Sequence, residues 1–168
     1  MSNETFNITN GLLAEFDGEI RTTRKALERL PQDKLLWKPH QKSMTAGQLA
    51  LHIAELPSGV LSMGIKNSSE VPDLSHPTQP ESVTQVLSAL NSSESQVRDL
   101  LPTISDRAMH EDIRITKDGV DVMVLPRVAF LRLIMLNHWY HHRGQFSVYL
   151  RLLGCSVPSA YGPTADEL

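Results

Sequence analysis

The 168-residue chain has a single cysteine, Cys155. It can form no intrachain disulfide and no Cys-rich zinc site. An excess of either charge is also missing: Lys and Arg number 16 against 19 Asp and Glu, for a formal net charge of -3. Gripping a phosphate backbone takes clustered basic side chains, so nucleic acid is not an expected partner. No apolar run reaches the roughly 18 residues a spanning helix needs, so no membrane partner is expected either. The first residues lack a basic stretch leading into an apolar one, which favours a cytoplasmic, reducing location. Apolar residues are plentiful: 40% are hydrophobic and 21% charged, enough for a packed core and too little charge for a disordered chain. One domain over residues 1–168 is expected at this length.

Apolar spacing predicts mostly helices. Leu12, Leu13, Phe16, Ile20, Ala26, Leu27 and Leu30 form a stripe over residues 9–30, stopped by Pro31. Ser43 or Thr45, the latter with Gln48 three residues on, offers an N-cap for a second helix running from Thr45 to about residue 65. Pro57 lies inside it and is expected to kink or split it. Residues 66–79 hold Pro72, Pro77 and several Ser and Asn, and read as a loop. A third helix is expected from Pro80 or Glu81 to Leu101. Two alternating runs, 113–116 and 120–124, flank Asp118-Gly119, the signature of a hairpin. The longest helix should follow from Pro126 to Leu153, with Gly154 as its cap and an extended strap behind it. This pattern is an all-α four-helix bundle with a small β-hairpin before the last helix.

Histidine carries the chemistry. Three of the seven fall within five residues, in Asn137-His138-Trp139-Tyr140-His141-His142-Arg143-Gly144-Gln145. At about 100° per residue, His138 and His142 stack one turn apart on one helix face. His138 and His141 are nearly as close, so spacing alone leaves both pairings open. Leu131, Ile134 and Met135 share the His138 face, which turns it inward; Gln145 and Tyr149 continue it toward a pocket. A third ligand must come from another helix, and His52, among Leu49, Leu51 and Ile53, is the candidate. A buried imidazole needs a partner. Three neutral histidines leave coordination positions open, as in catalytic metal sites. Glu55, one turn after His52, is a candidate supporting residue, fourth ligand or proton acceptor. His40, His76 and His110 read as solvated, and Cys155 as a packing residue.

Known catalytic signatures are absent. H-E-x-x-H would need Glu where Trp139 stands, and H-x-x-E-H would need Glu where His141 stands. The di-iron E-x-x-H pattern precedes none of the histidines, and no nucleophile elbow or phosphate loop occurs. What is left is a mononuclear histidine site in a helical bundle.

Three stretches resemble the DinB-like (DinB/YfiT-like) metalloenzyme family. They are Trp37 to Thr45 running on through Leu49-Ala50-Leu51-His52-Ile53-Ala54-Glu55, then the H-x-x-x-H-R-G-Q segment from His138 to Gln145, and the tail from Pro158 to Glu167. The resemblance implies an up-down-down-up four-helix bundle. It implies a metal triad of His52, His138 and His142, in preference to His141. It implies a divalent ion, nickel or zinc, and a homodimer. Some relatives in the wider superfamily are transferases or isomerases that use a low-molecular-weight thiol. The leading functional expectation is therefore a metal-dependent, thiol-transferase-like enzyme acting on a small molecule. Gln145 is a candidate for positioning substrate, and Arg143 for holding a carboxylate of the thiol. The alternatives are a metal-dependent hydrolase with Glu55 as base, and a non-enzymatic metal-binding stress protein.

Overall fold

A computed structural model describes residues 7–73 and 75–167. Helix α1 (Ile8–Leu27) is capped by Asn7, whose side chain accepts from the Asn10 N–H at 2.7 Å. Its expected stripe is buried at Leu12, Phe16, Ile20, Ala26 and Leu27. Helix α2 (Ala46–Gly64) starts at the Thr45–Gln48 capping box, with both reciprocal bonds formed at 2.9 and 3.1 Å. It is apolar nearly all round and lies at the centre of the molecule. Helix α3 (Val83–Leu100) begins at Ser82, slightly later than its spacing suggested, because the Ser82 hydroxyl caps the Gln85 N–H. It packs along α2 and α1.

The stretch 66–79, expected to be a loop throughout, contains a short strand. β1 (Ser68–Glu70) pairs parallel with β2 (Asp112–Lys117), which pairs antiparallel with β3 (Val120–Pro126). Ser68-Ser69-Glu70 has no apolar alternation; the backbone ladder holds it, with Glu70 accepting from Thr116 Oγ1 and the Asp118 N–H, so no hydrophobic pattern announces it. The hairpin turn is the expected Asp118-Gly119, with φ of 53° and 76°. Positive φ at both positions matches the right-handed twist of the flanking strands. A short helix, α4 (Asp106–His110), precedes β2.

The final helical stretch differs from the continuous α-helix expected over 126–153. It runs as α5 (Arg127–Phe130), a π-helical segment (Leu131–Asn137) and α6 (His138–Leu152). The apolar residues of the π segment are spaced as an α-helix would space them, so the sequence does not mark the change. Gly154 ends α6 with φ of 74°: its N–H donates to Arg151 O and that of Cys155 to Leu150 O, a Schellman closure. The chain is thus mostly helical with a small three-stranded sheet, and the helical pieces number more than the four expected.

One buried cation ties the layers together. Arg127 donates to Gly64 O at 2.7 Å, to Asn67 Oδ1 at 3.1 Å and to Ala108 O. Gly64 ends α2, and Ala108 lies in the last turn of α4. Carbonyls at helix C-termini carry partial negative charge, which suits a guanidinium. Gly64 also lets the last helix approach, since a Cβ there would sit 2.8 Å from Leu131 Cδ2. Among the described residues no helix is long and apolar enough to cross a membrane.

Candidate metal centre

His52 sits mid-way along α2, and His138 and His142 open the first turns of α6. These two helices pack side by side. Each of the three rings offers a nitrogen, and the three nitrogens lie within 4.8 Å of one another. The Nε2 atoms of His138 and His142 are 2.7 Å apart, as their spacing predicts for one helix face. The His52 ring centre is 4.6 Å from that of His142 and 5.8 Å from that of His138. Of the two partners that spacing left open for His138, the structure gathers His142 with His52. His141 is exposed and lies outside the group.

The electrostatics favour neutral rings. Burial, then the nearby His142 and His138, pushes His52 down to about 4. Burial and neighbouring histidines also hold His138 and His142 below the usual imidazole range. Neutral imidazoles close together are the form in which histidine ligates a metal. Gln145 selects the tautomer. Its Oε1 lies 2.9 Å from His142 Nδ1, so that nitrogen carries the proton and the Nε2 lone pair faces the other rings. Sequence reasoning placed Gln145 on this face as a substrate-positioning residue; in the structure its contact is with His142.

The three rings line a cavity of about 270 Å³, together with Met44, Gln48, Leu51, Glu55, Asp73, His76, Pro77 and Thr78. Glu55 is at its mouth, and partial burial raises its carboxyl above the usual range. Asp73 and His76 are additions from the segment read as a solvated loop. His76 is exposed, with Nδ1 2.7 Å from Ser75 Oγ. Neither has a helical period that could have placed it here. Tyr149, expected on this face, is buried with its hydroxyl donating to Met44 O at 3.2 Å.

Arg143 lies on the other side of α6. Its guanidinium is 2.5 Å from Glu19 Oε2 and donates to the Tyr161 hydroxyl at 2.6 Å, to Glu19 O at 3.2 Å and to Thr23 Oγ1 at 3.3 Å. Tyr140 and Tyr161 flank it at 5.3 and 5.2 Å. It joins α6 to α1 and the C-terminal strap and does not line the histidine cavity. Cys155 is half-buried at the end of α6, a packing position.

Known proteins share this arrangement of elements. The chain is 24% identical over 163 residues to the uncharacterized protein YrdA of Bacillus subtilis strain 168, covering 96% of this chain and 93% of that one. It superposes on a DinB-like protein from Bacillus cereus ATCC 10987 with a TM-score of 0.72 and 26% identity, covering 90% of this chain and 97% of the other. A DinB-like protein of Bacillus subtilis, YjoA, gives a TM-score of 0.66 at 18% identity, covering 94% and 98%. The DinB family model matches residues 1–168, and the chain belongs to the DinB family.

Proposed function

We propose that the chain is a divalent-metal-dependent enzyme of the thiol-transferase kind, with nickel or zinc held by His52, His138 and His142. The observation that carries this reading is the meeting of three neutral imidazoles on the wall of one cavity. The donor set fits a borderline ion: three imidazole nitrogens from the protein would be the ligand count of catalytic rather than structural sites. What such an ion supplies is acidification of a coordinating thiol or water and stabilisation of developing negative charge.

The residues of the chain do the rest. His142 is held in one tautomer by Gln145. Met44, Leu51 and Pro77 supply apolar wall that excludes water from a small substrate. Glu55, with its carboxyl raised by burial, holds or releases a proton at the cavity mouth. Helices α2 and α6 pack side by side, which is how ligands from separate parts of the chain come to face one another. Glu55 also favours a second reading, metal-assisted hydrolysis, in which it is the base that takes a proton from water.

Thermal-shift measurements on zinc-loaded, untagged protein separate the two readings. Glutathione and bacillithiol are each compared with their S-methyl forms. Stabilisation by a free thiol, absent with its S-methyl form, is the expected result. Equal response to both forms removes the thiol reading and leaves hydrolysis.

A further inference from the structure

Pro57 poses a structural problem. Within α2 it has no N–H to give to the carbonyl of Ile53, four residues back, and Ile53 is fully buried. A buried carbonyl without a donor is costly. Trp139 poses the complementary problem, because its indole N–H is also fully buried and needs an acceptor. The two solve each other: Trp139 Nε1 donates to Ile53 O at 2.9 Å. The next amide of the interrupted turn, that of Ser58, donates to Ser93 Oγ on α3 at 3.1 Å. The proline therefore leaves α2 continuous, and the turn it disturbs is completed by two neighbouring helices.

The ends of the indole bond matter for the histidines. Ile53 directly follows His52, and Trp139 directly follows His138 and precedes His142 by three residues. The bond joins the two ligand-bearing helices within one residue of the group. Apolar packing tolerates small slides between helices, whereas a buried hydrogen bond fixes distance and direction. Phe16 of α1 stacks on the indole at 5.4 Å between ring centres and 22° between planes, which holds the ring itself.

We infer that Trp139 is a positioning residue: with the carbonyl that Pro57 leaves free, it sets the separation of His52 from the His138–His142 pair so that one ion fits between them. This rests on the metal reading above. The role is distinct from core packing, since it needs the indole N–H and not only the ring.

The test measures zinc affinity and the visible absorption of the Co²⁺-substituted protein for four chains: wild type, Trp139→Phe, Pro57→Ala and Val97→Ala. Val97 is a buried core residue of α3, and its truncation controls for general destabilisation. Trp139→Phe is expected to weaken zinc binding at least tenfold and to shift the Co²⁺ bands. Pro57→Ala restores an amide that competes for Ile53 O and is expected to weaken zinc binding severalfold in the same direction. Val97→Ala should stay within twofold of wild type with unchanged bands. If Trp139→Phe does not fold, Pro57→Ala decides. Wild-type affinity and bands in whichever of the two decides would overturn the positioning role while leaving the metal reading standing. Failure of wild type to bind zinc overturns both.

Discussion

The two sides of the segment His138–Gln145 make unlike use of polar side chains. On one side, His138 and His142 face the cavity and lie against each other, His52 and Gln145, with the exposed His141 ring beside them. On the other, Arg143 meets the Glu19 side chain, two hydroxyls and a carbonyl, and two tyrosine rings flank it. Arg143 is buried and the histidines are partly so. The arginine side has its charge matched and its donors used, which makes it a joint between α6, α1 and the strap. On the histidine side the Nε2 atoms of His138 and His142 meet each other, and the rings border open volume. Adjacent residues of one helix thus divide into structure and chemistry according to whether their polar atoms are spent on other elements or turned to the cavity.

The sharpest way to break this contrast is to remove the histidines singly. His52→Ala, His138→Ala and His142→Ala should each abolish the single bound ion, a loss of more than about 100-fold in affinity, beyond the cost typical of a supporting residue. His141→Ala, altering an exposed ring outside the group, should keep the ion. Metal content by mass spectrometry on untagged protein checks this. Loss of metal in His141→Ala alone would show that the ion is held by a different set. On the opposite side the outcome inverts. Arg143→Ala should lower stability by about 3 kcal/mol, because Glu19 loses its partner where both side chains are mostly buried. Urea unfolding measures that loss, and the folded fraction should still bind one ion.

Much of this division is legible in the sequence, and the parts that are not have physical causes. The apolar flanks of His52 and the four-residue spacing of His138 and His142 mark the three rings that meet. The pairing with His142 over His141 depends on which side of α6 faces α2, a tertiary fact that spacing cannot supply. Arg143 is misleading because it adjoins a candidate ligand. Helical rotation nevertheless carries it about 100° away from His142, toward α1. Asp73 and His76 reach the cavity through a segment whose path follows the parallel pairing of β1, and backbone pairing leaves no side-chain pattern. The π segment is silent for the same reason. Pro57 reads as a break because a local rule sees only the lost amide; the indole that replaces it is 82 residues further along the chain.

Gln145 gives a smaller and more graded effect. Gln145→Ala should weaken metal binding by about 10–100-fold, since His142 then loses the acceptor that fixes its tautomer. Gln145→Glu restores an acceptor at that site and should recover most of the affinity. An alanine variant that binds as wild type does would place the orientation of His142 under packing control alone.

The smallest effect is in the pH dependence of the metal-free protein. His52 titrates near 4 when folded and near 6.5 when unfolded. Between those values the unfolded chain holds a proton that the folded chain does not, so stability rises with pH across this window and is lost as the pH falls. Above about 6.5 both states are neutral and the contribution is flat. His138 and His142 are shifted downward as well and add to the same slope. Urea midpoints at pH 5 and pH 7 should therefore differ more in wild type than in His52→Asn. The Arg143→Ala variant should keep the full wild-type difference on a lower baseline. An equal pH response in His52→Asn and wild type would move the titrating burden from α2 to the pair on α6.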